Sequence, residues 1–271
     1  MSELLVVEDL TVTFPTSRGP VDVVKGVSFT VGRDETVGIV GESGSGKSMT
    51  SLAVMGLLPK GAGTSGSIRL DGAELLGRPD RELRGLRGDR MSMIFQDPLS
   101  SLNPYYTVGL QIEEMYRAHR GGSRKAARRV TIEALEQVGL PDPARRVDHY
   151  PHQFSGGQRQ RIMIAMALVC GPELLIADEP TTALDVTVQA QILRLLDGLR
   201  RESGMGMVFI THDLAVISSI ATRVLVMRQG EQVEYGTAEQ VFAEPRHEYT
   251  KMLLESIPRI DDPLTDEVTP A

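Results

Sequence analysis

The sequence predicts an α/β fold in which helices cover a mainly parallel sheet and a helical lobe is inserted between strands. Apolar strands and helices alternate regularly over residues 158–220, which is typical of parallel sheets. Earlier in the chain, a short apolar strand at 36–40 is followed by a glycine-rich turn and a helix predicted over 47–58. The stretch 97–153 contains no strand-like run and is interpreted as the lobe.

The first third of the chain is rich in β-branched and apolar runs that are bounded by turn residues. Besides the strand at 36–40, strands are predicted there over 4–7, 10–14, 21–31, 67–70 and 91–95. A turn at Arg18, Gly19 and Pro20 separates the second strand from the third, and a charged helix is predicted over 80–87.

The remaining elements follow from the periodicity of apolar residues. In the lobe, helices are predicted over 108–119 and 124–138. Beyond it come helices at 158–169, 186–201 and 214–220, strands at 174–177 and 207–211, and a hairpin formed by 224–227 and 232–235. Residues 3–257 are assigned to one domain. The tail 258–271 contains three prolines and four acidic residues, and it is expected to be disordered.

Composition excludes several classes of function. The chain has 271 residues, of which 41% are hydrophobic, and its 29 basic and 36 acidic residues give a formal net charge of −7. This balance argues against broad binding to nucleic acid, which needs clustered positive charge. The single cysteine, Cys170, fits a reducing compartment. Since no signal peptide or apolar run of the ~20 residues that cross a bilayer is evident, membrane association is expected only through a partner.

Residues 41–48 match the phosphate-loop pattern G-x-x-x-x-G-K-[ST] between a predicted strand and a predicted helix. The motif consists of Gly41, Glu42, Ser43, Gly44, Ser45, Gly46, Lys47 and Ser48. Glycines let successive backbone N–H groups converge on phosphate oxygens, and the helix N-terminus adds its dipole. Lys47 would then reach the β- and γ-phosphates, and the Ser48 hydroxyl would ligate Mg²⁺. The alternative, a flexible glycine turn, does not explain this context.

Acidic and polar residues follow three other predicted strands. Asp178 and Glu179 end an apolar strand, where Asp178 would hold Mg²⁺ through water and Glu179 would polarise an attacking water. Without the upstream phosphate loop, such a pair would be only a strand end that meets solvent. Gln96 and His212 also follow strands, so both are expected at the carboxyl edge of the sheet, where open α/β sheets bind ligands.

Two further patterns allow more than one interpretation. Residues 154–158 read F-S-G-G-Q at the start of a helix, and this Ser-Gly-Gly turn is either a nest of N–H donors for an anion or an ordinary helix cap. Arginines also recur at three-residue steps, at positions 78, 81, 84, 87 and 90. For these arginines, a solvated helix face is favoured over a basic docking surface.

Taken in order, the motifs resemble the motif set of ATP-binding-cassette (ABC) ATPases over residues 3–257. The set comprises the phosphate loop, Gln96-Asp97-Pro98, F-S-G-G-Q, L-L-I-A-D-E-P, Ala183-Leu184-Asp185 and Thr211-His212-Asp213. The resemblance implies a P-loop NTPase of the ABC type with an antiparallel β subdomain, in which ATP is hydrolysed with Mg²⁺. It also implies that two such domains sandwich two nucleotides head to tail.

The resemblance assigns roles to individual residues. Phe14 would stack on adenine, Gln96 would sense Mg²⁺ and water, and His212 would contact the γ-phosphate. Glu179 would be the catalytic base, and Asp185 would cross the dimer. Ser155, Gly156 and Gly157 would contact the γ-phosphate bound by the other subunit. Met49 and Gln158 complete the expected nucleotide-binding set, and Ser48, Gln96 and Asp178 form the expected metal set.

Four sequence segments are similar to those of the ATPases of bacterial peptide/nickel importers, at residues 95–104, 150–153, 183–191 and 247–254. This similarity implies a peripheral subunit at the cytoplasmic face of the cell membrane that energises uptake of di- and oligopeptides. The implied partners are a second, non-identical ABC ATPase subunit, two membrane permeases and an extracytoplasmic solute-binding protein, with no nucleic acid.

Some expectations concern what sets this chain apart within that group. Many peptide-importer ATPases continue into a cysteine-bearing extension, whereas this sequence carries only Cys170, so no iron–sulfur cluster is expected. Importers of nickel or metallophores and a phosphonate-metabolism component remain alternatives. The lobe is expected to dock on a permease, so that charge reversal at Glu113 or Glu114 uncouples hydrolysis from transport without changing cargo preference.

Overall fold

The computed structural model describes residues 3–96, 101–182 and 184–255, in which ten strands form one mixed sheet. The strands are β1 (Glu3–Thr16), β2 (Gly19–Gly32), β3 (Thr36–Val40), β4 (Gly63–Leu70), β5 (Ala73–Glu74), β6 (Met91–Ile94), β7 (Leu174–Asp178), β8 (Gly206–Thr211), β9 (Arg223–Arg228) and β10 (Glu231–Thr237). Their spatial order is β5-β4-β1-β2-β10-β9-β3-β8-β7-β6. The fold class predicted from the sequence is therefore confirmed.

One side of the sheet is antiparallel. Strand β1 pairs with β2 and with β4, and β4 pairs with β5. The two strands predicted at 4–7 and 10–14 are one strand, because Asp9 adopts a φ of +48° within a bulge between Val7 and Leu10. Such a bulge adds a residue without ending the strand. The alternation of apolar and polar residues is interrupted there, but the strand continues.

The other side of the sheet is parallel and places the carboxyl ends of its strands at one edge. Strands β6, β7, β8, β3 and β9 pair in parallel in that order. Strand β7 is buried throughout, and its residues alternate between two apolar clusters. Leu175 and Ala177 belong to one cluster, and Leu174 and Ile176 belong to the other. This two-sided burial explains why the strand reads as a continuous apolar run.

The helices cover this sheet and form the lobe. They are α1 (Lys47–Met55), α2 (Asp80–Leu86), α3 (Val108–Arg120), α4 (Arg124–Gln137), α5 (Pro143–Arg146), α6 (Gly156–Leu168), α7 (Val186–Ser203), α8 (Leu214–Ile220), α9 (Ala238–Ala243) and α10 (Glu248–Glu255). A 3₁₀ turn spans Pro151–Gln153. None of the helices in the described part of the chain is long and apolar enough to cross a membrane.

Helix α1 ends earlier than predicted. The sequence pattern extends to Leu58, but Gly56 adopts a φ of +62°, and its N–H donates to the carbonyl of Ala53. A glycine in the left-handed conformation closes the last helical turn, and the chain then leaves the helix axis. The apolar spacing therefore predicted the helix correctly and its last three residues wrongly.

The lobe contains α3, α4, α5 and the 3₁₀ turn, and over residues 101–153 the structure contains no strand. Glu113 on α3 is only 5% exposed and accepts a 3.3 Å hydrogen bond from Arg128 on α4. It joins the two lobe helices, whereas Glu114 is exposed. Of the two glutamates at which charge reversal was expected to probe docking, the structure therefore leaves only Glu114 at the surface.

The arginine series does not form one continuous face. Arg87 donates from Nε and Nη2 to the carbonyls of Met55 and Gly56, both at 2.7 Å, and so caps the end of α1. Arg90 lies between Glu173 and Asp71, at 2.5 and 3.0 Å. Arg84 is 76% exposed, and its ion pair among the described residues is with Asp80. Arg87 and Arg90 therefore bind other parts of the chain, which corrects the expectation of a solvated face for these two arginines.

Several short elements were not predicted from the sequence. They are β5, α5, the 3₁₀ turn, α9 and α10, all of eight residues or fewer. Four of them span only two to six residues, which is too few for a period of apolar residues to emerge from the pattern. The expected disordered tail at 258–271 lies outside the described residues.

Candidate functional site

Four of the predicted motifs meet at the carboxyl edge of the parallel strands: the phosphate loop, Gln96, the pair Asp178 and Glu179, and His212. The phosphate loop follows β3, Asp178 ends β7, and Glu179 comes directly after it. Gln96 follows β6, and His212 follows β8. Because these strands are parallel neighbours, residues that are more than a hundred positions apart come together at one edge.

The phosphate loop requires glycine at two of its positions. A Cβ on Gly41 would lie 2.1 Å from the carbonyl oxygen of Met227, and one on Gly46 would lie 2.7 Å from the carbonyl oxygen of Val23. Gly46 also has a φ of +101° immediately before α1 begins. The loop is therefore packed against β2 and β9 by its backbone, and its N–H groups stand at the start of a helix.

Lys47 is the buried cation of the site. Its Nζ donates to the carbonyls of Gly41 and Glu42, at 2.7 and 2.8 Å, and lies 3.5 Å from the Ser45 hydroxyl. Burial lowers the pKa of Lys47, and the charges of Glu179 and Asp178 oppose this effect. A cation held this way in a low-dielectric site interacts strongly with an anion that enters it.

Ser48 and Asp178 place two oxygens side by side. The Ser48 hydroxyl donates to Asp178 Oδ1 at 3.2 Å. Asp178 is 6% exposed, and burial raises the pKa of its carboxyl, with Glu179 adding to the effect and Ser48 and Lys47 opposing it. Hydroxyl and carboxylate oxygens suit a hard cation such as Mg²⁺.

A complete protein cage for such a cation is not present. Over 3–96, 101–182 and 184–255, no three His, Cys, Asp or Glu side chains group as metal ligands. Mg²⁺ is ordinarily held by one or two protein oxygens together with water and substrate phosphates. The pair of Ser48 and Asp178 beside the phosphate loop fits this pattern.

Glu179 is the centre of the hydrogen-bond network. Its Oε2 accepts from Gln96 Nε2 at 3.0 Å and from Thr182 Oγ1 at 2.9 Å, and its Oε1 lies 3.5 Å from His212 Nδ1. The residue has a φ of +47°, which costs of order 1–2 kcal/mol for a side chain with a Cβ. Its N–H donates to the carbonyl of Ile210 on β8 at 2.9 Å, and this bond holds the conformation.

These residues line an open cleft of about 570 Å³, called the phosphate cleft below. Its lining consists of Gly41, Glu42, Ser43, Gln96, Glu179, Thr182, His212 and Leu253. Two of these residues were not predicted. Thr182 lies in the turn that follows Glu179. Only this closeness to Glu179 in the sequence could have indicated Thr182 as a site residue. Leu253 comes from α10, which the sequence analysis did not identify.

Another unpredicted contact reaches the phosphate loop from α10. The hydroxyl of Tyr249 accepts a hydrogen bond from the Glu42 N–H at 3.2 Å. Tyr249 is 2% exposed, and the Arg228 guanidinium lies 4.8 Å from the centre of its ring. No spacing in the sequence signals this contact, because 207 positions separate the two residues.

The F-S-G-G-Q motif lies elsewhere. Ser155 caps α6, accepting from the Gln158 N–H at 3.4 Å while its own N–H donates to Gln158 Oε1 at 3.2 Å. Asp185 caps α7 through the Val188 N–H at 2.9 Å. Together with Gly156 and Gly157, these residues line a second cleft of about 540 Å³, called the signature cleft below.

The predicted nucleotide-binding set is therefore divided within this chain. The phosphate cleft and the signature cleft share no lining residue. Phe14 lies on β1 opposite Val21 and is partly buried against the core cluster, outside both linings. The Met49 side chain also packs, partly buried, against that cluster.

Two family models match the chain. The model described as "ABC transporter" matches residues 24–182. The model described as "Oligopeptide/dipeptide transporter, C-terminal region" matches residues 233–270, which include α9 and α10. The phosphate loop and Asp178 lie in the first match, and Tyr249 lies in the second.

Curated relatives align over nearly the whole chain. It is 52% identical over 263 residues to the dipeptide transport ATP-binding protein DppD of Bacillus subtilis, covering 96% of this chain and 78% of the relative. It is 53% identical over 258 residues to the oligopeptide transport ATP-binding protein OppD of Salmonella typhimurium, covering 95% and 77%.

Solved structures share the fold. A dimeric bacterial ABC transporter cassette superposes with a TM-score of 0.76 and 30% identity, covering 86% of this chain and 98% of that one. The same cassette in a post-hydrolysis state bound to ADP and Pi gives the same values.

Proposed function

The chain belongs to the ABC transporter family of ATPases, and we propose that it is the ATP-hydrolysing subunit of a bacterial importer for di- and oligopeptides. The observation that carries the hydrolytic role is the Glu179 carboxylate, which Gln96, Thr182 and His212 surround one residue beyond Asp178. The peptide cargo is supported by the relatives named for dipeptide and oligopeptide transport.

In the proposed mechanism, the phosphate loop and Lys47 bind the β- and γ-phosphates. An ammonium has three donors, and the carbonyls of Gly41 and Glu42 take two of them at short distance. The third and longest contact, to the Ser45 hydroxyl at 3.5 Å, is the one that a phosphate oxygen would replace. The negative charge of a bound phosphate would also oppose the effect of burial, which lowers the pKa of Lys47.

Ser48, Asp178 and Gln96 would hold Mg²⁺, and Gln96 also donates to the Glu179 carboxylate. When bound, the ion would neutralise charge that develops on the phosphate oxygens. Glu179 would accept a proton from the attacking water, and Gln96 and Thr182 would keep its carboxylate oriented toward that water. His212, whose side chain is 62% exposed at the mouth of the cleft, would contact the γ-phosphate.

The division of the predicted set between two clefts supports an assembly of two cassettes. Ser155, Gly156, Gly157 and Gln158 would complete the phosphate cleft of a second, non-identical ATPase subunit, with Asp185 at the crossing point. Phe14 would stack on adenine from β1, and the Met49 N–H would join the loop's donors. Residues 3–257 would act as one ATPase unit, with 258–271 as an acidic tail.

The other proposed partners are two membrane permeases, which the lobe would contact, and an extracytoplasmic solute-binding protein. The chain would then act at the cytoplasmic face of the membrane as a peripheral subunit. Cargo would be selected by the permeases and the binding protein, because specificity has to be built where cargo touches protein.

Reconstitution tests this proposal. The chain would be co-purified with its permeases, combined with their solute-binding protein in liposomes, and supplied with ATP and Mg²⁺. We expect uptake of a labelled dipeptide that depends on ATP, is abolished by Glu179→Gln and exceeds uptake of chelated nickel. Preferential uptake of nickel, or hydrolysis without uptake of either cargo, would contradict the peptide assignment while leaving the ATPase assignment intact.

A further inference from the structure

The first peptide group of the phosphate loop is held from both of its sides. The carbonyl of Gly41 and the N–H of Glu42 belong to one peptide unit, which is planar and rigid. Its carbonyl oxygen accepts from Lys47 Nζ at 2.7 Å, and its N–H donates to the Tyr249 hydroxyl at 3.2 Å. A rotation of this group that broke one bond would therefore disturb the other.

Lys47 depends on this peptide unit for its position. Only the Gly41 and Glu42 carbonyls lie within 3 Å of its Nζ among the contacts of the described residues. Gly41 itself has no room for a side chain, so backbone orientation alone sets the direction of its carbonyl. The hydrogen bond that the Glu42 N–H donates to Tyr249 therefore helps to fix the carbonyl that holds the Lys47 ammonium.

Tyr249 is itself held in place by the segment that precedes α10. The Glu234 carboxylate on β10 accepts from the N–H groups of Arg246 and His247, at 2.8 and 3.2 Å. His247 Nδ1 then accepts from the Tyr249 N–H at 3.1 Å. Burial raises the pKa of the Tyr249 hydroxyl, so the group stays neutral and keeps its proton across the physiological range.

We propose that Tyr249 is a positioning residue for ATP binding, which sets the Lys47 ammonium through the Gly41–Glu42 peptide unit. Helix α10 would then tune nucleotide affinity by the way it docks against the phosphate loop. This inference rests on the proposed nucleotide site and assigns it a residue from the C-terminal segment. Leu253, one turn further along α10, lines the same cleft and extends the contact between the helix and the site.

A purely structural role for Tyr249 makes a different prediction. The buried ring and its contact with Arg228 belong to the core, whereas the hydroxyl alone reaches the loop. Tyr249→Phe removes the hydroxyl and keeps the ring. Tyr235→Phe is a matched control, since within the described part of the chain the Tyr235 hydroxyl bonds only to the backbone of Thr30, at 3.2 and 3.3 Å, away from the loop.

The test compares both variants with the unmodified full chain. ATP affinity is titrated with a fluorescent ATP analogue, and KM and kcat are measured in the assembled transporter. For Tyr249→Phe we expect the Kd and KM for ATP to rise roughly 3- to 10-fold, as for the loss of one hydrogen bond, with kcat within about 2-fold. Tyr235→Phe is expected to leave the Kd and KM for ATP unchanged.

Amide hydrogen exchange supplies a second readout that does not depend on activity. The peptide covering residues 41–48 should exchange faster in Tyr249→Phe and at the unmodified rate in Tyr235→Phe. Unchanged affinity and exchange in Tyr249→Phe, or a fall in kcat at constant KM, would overturn the inference. If the unmodified chain bound no ATP, the proposed nucleotide site would fail first, and the inference would fail with it.

Discussion

The Glu179 carboxylate receives three contacts that differ in what they could contribute to hydrolysis. Gln96 and Thr182 donate to the same oxygen, so they can fix the plane of the carboxylate but leave Oε1 facing His212. The backbone φ of +47° turns the side chain out of the strand direction and into the cleft. A strained backbone at such a position is what a preorganised reactive group requires.

Replacement of Glu179 by glutamine tests its role as the proposed base. The variant keeps the size and most hydrogen bonds of the side chain but cannot accept a proton from water. We expect Kd for ATP within about 3-fold of the unmodified value and turnover reduced by ~10²-fold or more. Thr182→Val, which removes only an orienting donor, should reduce turnover less. Single-turnover hydrolysis measures the turnover of the two variants. A Glu179→Gln variant that retained most of its turnover would exclude the base role.

At the scale of elements, helix α1 carries the phosphate loop at its start and a stabilising arginine at its end. Arg87 reaches across from the end of α2 and satisfies the carbonyls of Met55 and Gly56, which have no partner within the helix. The same positive charge interacts favourably with the negative end of the helix dipole. The phosphate loop and the Arg87 contacts thus lie at opposite ends of α1.

Substitution of Arg87 by methionine should expose this anchoring. The variant loses three charge-assisted hydrogen bonds, two to these carbonyls and one to Asp80 at 2.8 Å, and this is expected to lower the free energy of unfolding by about 1–3 kcal/mol. Arg84→Met is the control, because among the described residues Arg84 pairs only with Asp80, in an exposed ion pair whose loss should cost under ~0.5 kcal/mol. Urea unfolding followed by circular dichroism measures both. Equal effects of the two variants would show that the Arg87 contacts contribute nothing specific.

The lobe offers a second comparison between neighbouring residues. Glu113→Lys would place a second cation against Arg128 in a buried position, and we expect it to lower the free energy of unfolding by about 3 kcal/mol or more. Glu114→Lys changes an exposed charge and should leave stability within ~0.5 kcal/mol. Only Glu114→Lys can therefore test coupling.

We expect Glu114→Lys to preserve ATP hydrolysis while lowering peptide uptake per ATP, with the preference between a dipeptide and chelated nickel unchanged. The measurement is uptake and hydrolysis in the reconstituted complex. A Glu114→Lys variant that changed which cargo is taken up would contradict the proposed separation of energising and cargo selection.

At the scale of the whole molecule, the chain holds two parts of one proposed reaction centre on separate surfaces. The phosphate cleft contains the loop and Glu179, and the signature cleft contains Ser155 and Asp185. Neither cleft alone surrounds a nucleotide with the full predicted set. A second cassette that presents its own signature cleft would close the site, which is the geometry expected of a head-to-tail pair.

Ser155→Arg should separate binding from assembly. The substitution fills the signature cleft with a long cation but leaves the phosphate cleft of the same chain untouched. We expect unchanged ATP affinity for this chain, loss of the ATP-dependent closed pair, and hydrolysis reduced by ~10²-fold or more, as when a transition-state contact is lost. Glu202→Arg, on an exposed part of α7, is the control. Chemical cross-linking with ATP reports closure, and a closed pair formed by Ser155→Arg would reject the model.

The strands, helices and phosphate loop were predictable because each depends on neighbours in the chain. Strand β3 and helix α8 were predicted with their observed bounds, since a two- or 3.6-residue period of apolar residues reports directly on local geometry. The bulge at Asp9 and the early end of α1 at Gly56 were not, because single left-handed residues leave no periodic trace. Helix α10 was missed although it is one residue longer than α8, and the sequence signalled this segment only through the resemblance at residues 247–254.

For the candidate site, the sequence by itself predicted the phosphate loop from Gly41 to Ser48 and the acidic pair Asp178 and Glu179. Only the tertiary structure decided their partners. The bond from Gln96 to Glu179 spans 83 positions and the bond from Glu42 to Tyr249 spans 207, and such pairings arise when strand order brings distant loops to one edge. The physical reason is that local spacing specifies one turn or one strand, whereas long-range contacts depend on how all the buried faces pack together.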